Sequence, residues 1–384
     1  MDQTPRIYTI FWLVGENSGD LHASLVMRAL NQGIPHVRHV GIGGSRMQAE
    51  GLRLLFPFAR FNVMGFVEVV KHLGFFLKVE KRIRRLFEEE KPDLAILVDY
   101  PGLNLRIASI ADENRVDVLY FICPQFWAWK HERVHKLRAN VRQVACILPF
   151  EQELLEIHNV PATYVGHPIA EEVCYELDRN QFSLFYRIDP AKRWIGFLPG
   201  SRDVEIRRML PVFLKAAQLF DQNRFEFLFS KARTVSHKLY LNLVENSGLK
   251  NLHIIDGHRY EMMKYCDFMI STSGTATLET AYVGTPLLIG YKASPLSYLI
   301  GRYFVRIKRI GLPNIVLDQD LLPEMVQKDV NPENIHRRAM EFLDNPELTV
   351  AVKQELAKLR HLLGDKQTSL QMLSIVRKML KIDE

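Results

Sequence analysis

IYTIFWLVGENSGDLHASLVMRAL, residues 7–30, reads as a strand, a turn and a helix in succession. Ile7 to Val14 is a short apolar run rich in β-branched and aromatic side chains, the composition of a parallel strand buried on both faces. Gly15 to Asp20 supplies turn residues. Leu21, Leu25, Val26, Ala29 and Leu30 then recur at helical spacing. The unit recurs outward from there. HVGIGGS (39–45), PDLAILVDYPG (92–102), DVLYFICPQFWAW (117–129), QVACILPF (143–150) and ATYVGHP (162–168) each read as strand running into loop. Strands alternating with helices predict crossovers and a parallel sheet.

The segment 174–193 is more polar and carries no clear strand. The pattern restarts at WIGFLPGSR (194–202), and FEFLFS, LHIID, FMIST and PLLIGY follow as strands. VGENSGD and LPGSRDVE open the two halves alike, each with a strand, a Gly/Ser turn and an acidic residue in or before a helix. The expectation is an α/β chain of two Rossmann-like parallel-sheet lobes with a cleft between them. The lobes are placed at 1–173 and 174–345, and charged helices at 346–384 are expected to pack back on the first. A length of 384 residues suits two domains, and 47% hydrophobic residues let each bury a core.

The net charge of +6 permits a phosphate-rich ligand, a nucleic acid or an anionic membrane, and selects none. Cys123, Cys146, Cys174 and Cys266 form no C-x-x-C pair, which leaves zinc ribbons and thioredoxin-type motifs unsupported. No window approaches the ~20 apolar residues of a membrane span. Nor does the N-terminus read as a signal peptide. A cytoplasmic chain is expected, one that docks on a membrane only from that side.

STSGTATLE (271–279) is the strongest chemical signal. Ser273, Gly274 and Thr275 fall where the first N–H groups of a helix point, and small side chains let a phosphate approach them. Glu279, one turn in, is placed to accept from a ribose; the plain alternative is a capped helix. In LPGSR, Gly200 and Ser201 make a strand-to-helix turn from which Arg202 projects, and Arg suits bidentate phosphate contact. Glu16 and Asp20 in GENSGD stand ready to orient sugar hydroxyls, with helix capping by Asp20 as the competing reading. Asp99, just past a buried strand, suits a general base. Trp127 and Trp129, followed by Lys130, His131, Arg133, His135 and Lys136, suit stacking on sugars beside phosphates.

Three further patterns compete. His131-Glu132-x-x-His135 matches the zinc-hydrolase signature, but four cations crowd it and no third ligand is evident. DQD (318–320) is too short to inform. GIGGSR (41–46) lacks the third Gly of a dinucleotide loop. The stretches 64–85 and 298–309 mix apolar and basic residues, as interfacial segments do, although a core-facing helix explains either one.

Taken together, GENSGDLHAS, GIGGSRMQAEG, MGFVEV, DYPGLNLRIA, CPQFWAWKHERV, LPFE, YVGHP, LPGSRDVEI, STSGTATLETA and LPN (312–314) resemble the lipid-A-disaccharide synthase family over nearly the whole chain. Val14, Leu103 and Cys123 depart from the family's usual Ala, Phe and small residue. The resemblance implies an inverting, metal-independent GT-B glycosyltransferase. It would move 2,3-diacylglucosamine from UDP to the 6-hydroxyl of 2,3-diacylglucosamine 1-phosphate, at the inner face of the inner membrane. It implies a UDP site of Gly200, Ser201, Arg202, Ser273, Gly274, Thr275, Glu279 and Asn314. It implies acceptor or lipid contacts at Ser18, Asp20, Met64, Phe66, Trp127 and Trp129. For catalysis it points to Asp99 as base, Glu16 as second choice, and Arg202. No cofactor, metal or nucleic acid is expected; an anionic membrane surface is, and a homodimer stays open. The rival readings are another UDP-sugar transferase or epimerase, a zinc hydrolase, and a non-catalytic lipid-binding module.

Overall fold

The computed structural model describes residues 6–61, 73–128, 130–294, 298, 308–364 and 366–382. It divides into two compact units, 1–170 with 364–384, and 171–363.

The first unit holds an all-parallel sheet in the order β3-β2-β1-β4-β5-β6-β7. Its central strands are β1 (Tyr8–Val14), β4 (Leu94–Val98) and β5 (Val118–Phe121); β2 (Val37–Ile42) and β3 (Arg53–Leu54) lie to one side, β6 (Gln143–Cys146) and β7 (Ala162–Tyr164) to the other. β1 pairs with β2 through Leu13↔Ile42 and with β4 through Val14↔Val98. Every residue of β4 is buried, as expected of a strand covered on both faces. The strand order reverses direction between β1 and β4, so the loops after these strands part there.

Helix Leu73–Glu90 covers this sheet with Phe76, Val79, Ile83, Leu86 and Phe87, a helical stripe. Phe87 meets Phe11 edge to face at 4.9 Å. Phe75 packs on Phe56 and Phe61. The apolar residues 75 and 76, read as membrane-facing candidates, are thus largely committed to the core, and Leu77 is exposed. Met64, Phe66, Val69 and Val70 lie outside the described residues, as does most of 298–309.

The second unit repeats the plan, with order β10-β9-β8-β11-β12-β13. β8 (Arg193–Leu198) and β11 (Phe268–Thr272) are central; β9 (Phe225–Ser230) and β10 (Leu252–Ile255) lie beyond β8, and β12 (Leu287–Tyr291) and β13 (Glu324–Val326) beyond β11. Here the order reverses between β8 and β11. The polar segment 174–193 belongs to this unit. It forms helix Arg179–Tyr186, opened by a reciprocal cap in which Asp178 accepts from the Gln181 amide and Gln181 from the Asp178 amide. Arg179 lies over the buried Trp194 ring at 4.4 Å.

The expected boundaries are corrected in one respect. Helix Pro346–Leu363 packs on helices Thr275–Tyr282 and Pro332–Leu343 and clusters with the second unit. Only 364–384 joins the first. There, helix Thr368–Met379 lies against helix Asn17–Gly33. Arg377 donates to the Gly33 carbonyl at 2.8 Å, and a Cβ on Gly33 would come within 2.5 Å of Leu373.

Candidate active site

Ligands of open parallel sheets bind beyond the carboxyl ends of the strands, at the point where the order reverses. Each unit places its marked residues there.

In the second unit, the loop after β8 turns at Gly200, whose φ of +127° favours glycine. A Cβ there would meet the Cβ of Glu205 at 2.6 Å. Helix Asp203–Gln218 follows, and its Glu205 carboxylate reaches back to the amides of Ser201 (2.9 Å) and Arg202 (3.3 Å) and to the Arg202 guanidinium (3.2 Å). These N–H groups thus converge on an anion. Ser201 and Arg202 are exposed. Thr234 and the Ser236 amide brace the loop from the side, bonding the Ser201 carbonyl and Asp203.

The loop after β11 carries Ser273, Gly274 and Thr275, with Gly274 exposed at the head of helix Thr275–Tyr282. The Ser273 amide donates to Gly290 and its hydroxyl to the Ile310 carbonyl, both at 2.9 Å. Thr277 turns its hydroxyl back onto the Gly274 carbonyl at 2.7 Å. The positive end of the helix dipole opens at Gly274 and Thr275.

Glu279 is buried, 4% exposed, and accepts from Arg259 at 2.9 Å. Arg259 also bonds the Tyr260 hydroxyl and lies over that ring at 4.7 Å. Burial works against the Arg259 charge, but Glu279 and Tyr260 outweigh it and hold the guanidinium ionised. Asn314, expected in the donor site, is held within its own turn. It is 1% exposed; its amide donates to the Leu322 carbonyl and Glu324, and its oxygen accepts from the Leu322 amide.

In the first unit, Asp99 follows β4 and Glu16 follows β1, so the two carboxylates flank the reversal. Asp99 and Tyr100 both adopt left-handed backbone, φ +44° and +46°, which costs roughly 1–2 kcal/mol per non-glycine residue. The structure holds them there. The Tyr120 hydroxyl donates to the Asp99 carbonyl at 2.6 Å. The fully buried Asn104 donates to the carbonyls of Asp99 (2.7 Å) and Val98 (3.0 Å). The Tyr100 ring lies against Gly15, where any Cβ would come within 2.3 Å of it. Asp99 is partly buried at the strand end. Burial, and next Glu16, push it up to about 7, against opposing pulls from the Tyr100 amide, His22 and Arg133.

Asp20, expected among the acceptor contacts, is likewise bonded internally. It is 2% exposed, and its carboxylate accepts from the amides of Gly44 (2.8 Å), Met47 (3.2 Å) and Arg46 (3.3 Å). It caps the helix of the GGSRM loop. Ser18 is half-exposed in the first turn of helix Asn17–Gly33. Trp127 packs edge to face on Phe150 and donates its indole N–H to Glu151 at 3.2 Å. Trp129 lies outside the described residues.

Three groups escaped the reading of side-chain motifs: Glu151, His167 and His22. Glu151 is 1% exposed and pushed up to about 7 by burial, against hydrogen bonds from Trp127 and Leu148. It feels the Asp99 charge, as does Arg133. His167 is buried and its ring is pushed down to about 3, by burial and then by His22, so it is neutral at neutral pH. The available signal for Glu151 and His167 was position alone, each just past a strand in LPFE and YVGHP. His22 carried no such mark, whereas Arg133 stood among the cations of the motif that follows Trp127.

The metal patterns do not assemble. His131 and Glu132 are exposed in the turn ahead of helix Arg133–Asn140. Asp318 and Asp320 are exposed and paired with Arg309. Among the described residues no group of three or more His, Cys, Asp or Glu is arranged to hold a metal ion. Among the same residues no helix is long and apolar enough to cross a membrane.

Comparison with known proteins agrees with this geometry. The model of the family described as lipid-A-disaccharide synthetase matches residues 10–378. The lipid-A-disaccharide synthase of Nitrosococcus oceani is 38% identical, over 92% of this chain and 91% of its own length. Among solved structures, the S. aureus MnaA–UDP complex superposes with a TM-score of 0.68 at 13% identity, covering 98% of each chain. MurG of Acinetobacter baumannii does so at 0.57 and 14%, over 97% of this chain and all of its own. The fold is GT-B, with the two Rossmann-like lobes that the strand patterns predicted and the GT-B arrangement that the resemblance implied.

Proposed function

The chain belongs to the lipid-A-disaccharide synthetase family and is a glycosyltransferase of lipid A biosynthesis; from that premise we propose that it transfers 2,3-diacylglucosamine from UDP to the 6-hydroxyl of 2,3-diacylglucosamine 1-phosphate, releasing UDP. The observation that carries the reading is the placement of complementary chemistry at the two strand-order reversals, an anion cradle in the second unit and a raised carboxyl in the first.

In this reading the second unit takes the donor. The amides of Gly274 and Thr275, with the exposed Arg202 guanidinium, receive the pyrophosphate, and Gly200 and Ser201 shape the turn that carries Arg202. Glu279, oriented by Arg259, receives the ribose. Ser273 serves through its loop, since its hydroxyl proton is committed to Ile310. As the bond from C1 to the phosphate oxygen breaks, charge gathers on UDP. Arg202 and the helix N-terminus then neutralise it in the role a metal ion plays elsewhere.

The first unit takes the acceptor. Asp99 accepts the 6-hydroxyl proton as that oxygen attacks C1 from the face opposite UDP, which inverts the anomeric centre. A carboxyl near 7 is ionised often enough to act and basic enough to take the proton. Glu16 raises that basicity by its charge, and Trp127, fixed by Glu151, offers a face to a sugar ring or acyl chain. The exposed Leu77 and the basic residues of helix Leu73–Glu90 support docking on an anionic membrane from this unit.

The test is UDP release from purified protein given UDP-2,3-diacylglucosamine and the diacyl monosaccharide phosphate. Release that needs both substrates supports the reading. Release without the acceptor, or an epimerised UDP-sugar as product, refutes it.

A further inference from the structure

We propose that Glu324, which touches no part of the cradle, positions the donor loop and so sets the affinity for the nucleoside diphosphate. Glu324 sits on the edge strand β13, opposite Ile289 of β12. Its carboxylate gathers three donors from one turn, the Ile310 amide (2.7 Å), the Gly311 amide (3.0 Å) and the Asn314 side-chain amide (2.8 Å). Asn314 spends its remaining hydrogen-bonding groups on Leu322, which ties the turn to the start of the same strand. Gly311 makes the approach feasible, because a Cβ there would lie 2.9 Å from the Glu324 carboxylate and 2.3 Å from the Ile289 side chain.

The consequence falls on Ile310. The peptide between Ile310 and Gly311 is held at its N–H, on Gly311, by Glu324 (3.0 Å), and its carbonyl, on Ile310, accepts the Ser273 hydroxyl at 2.9 Å. Ser273 immediately precedes Gly274 and Thr275, whose amides head the cradle. A carboxylate on the sheet edge is therefore joined to the donor loop through one peptide unit. Three N–H donors converging on two oxygens need a carboxylate. The amide of Gln would turn an NH2 toward at least one of them, leaving a donor facing a donor.

The inference rests on the assignment of the donor to this unit, and the experiment separates the two. The variants are Glu324→Gln, Ser273→Ala, their double, Arg202→Ala and the charge-preserving Glu324→Asp. Each is measured for UDP binding by calorimetry and for both Michaelis constants. Glu324→Gln should weaken UDP binding and raise the donor KM about tenfold, with Glu324→Asp intermediate. The acceptor KM should stay within about twofold. The double variant should be no weaker than the worse single, because both act through Ile310. If Arg202→Ala and Ser273→Ala weaken UDP binding while neither Glu324 variant does, positioning by Glu324 is wrong and the donor site stands. Losses that multiply in the double variant, or a fall in kcat with both KM values unchanged, also overturn it. If Arg202→Ala and Ser273→Ala leave UDP binding unchanged, the donor assignment falls and the inference with it.

Discussion

A side chain's chemistry depends on what has already claimed its polar atoms. Arg202 is exposed and aimed by Glu205, so Arg202→Ala should cut kcat/KM by about 10²–10³-fold, as loss of one charge-stabilising donor does. Its thermal midpoint should stay near wild type; a collapse of the midpoint with the activity would make Arg202 structural instead. Asp99 sets the second expectation. With its carboxyl near 7, the rate should climb with pH through about 7 and not through the ordinary carboxylate range near 4. Asp99→Asn should abolish that limb, and a limb that persists in the variant excludes Asp99 as base. Asp99 and Glu151 also carry a stability consequence. Both bind protons more tightly folded than unfolded, so the stability they contribute is present in acid and lost as pH rises through about 7. Melting curves of Glu151→Gln should therefore gain on wild type between about pH 5 and pH 8; a constant offset would contradict the raised carboxyl. Asp20 and Asn314 show the limit of motif reading. Their identities mark them as polar and ligand-like, but only coordinates reveal that backbone amides of GGSRM and Leu322 already use them.

Elements owe their positions to devices larger than one side chain. The turn after β4 is two left-handed residues in sequence, held by Asn104, Tyr120 and the bare surface of Gly15. Gly15→Ala should drive the Tyr100 ring away and lower kcat more than it raises either KM, since the base would be misplaced with the substrate sites intact. Unaltered kcat would show that the ring's seat on Gly15 is irrelevant to Asp99. The strand and the turn were legible in PDLAILVDYPG, since buried parallel strands are near-continuous apolar runs and Pro-Gly stops them. The left-handed pair was not, because neither Asp nor Tyr prefers that conformation. Asn104 holds it from nearby, but Tyr120 and Gly15 reach it from further along the chain.

Each unit of the whole molecule is a doubly wound sheet closed by helices, and the tail belongs to the first. Met372, fully buried in helix Thr368–Met379, should on substitution by Ala cost about 2–5 kcal/mol. UDP binding should be spared, because the proposed donor residues lie in the other unit; UDP affinity falling in step with stability would contradict that division. The sequence by itself determined the two α/β halves, their parallel sheets and the blocks that carry the family, because hydrophobic periodicity and turn chemistry are local. Tertiary structure alone decided that Pro346–Leu363 stays with the second unit and 364–384 crosses to the first. It decided that Glu279 is met by Arg259, and that the Glu324 carboxylate meets the amides of Ile310 and Gly311. The reason is physical. Which helix covers which face, and which donor reaches which carboxylate, follow from packing between residues that strand order brings together, and strand order is not written in any single stretch of chain.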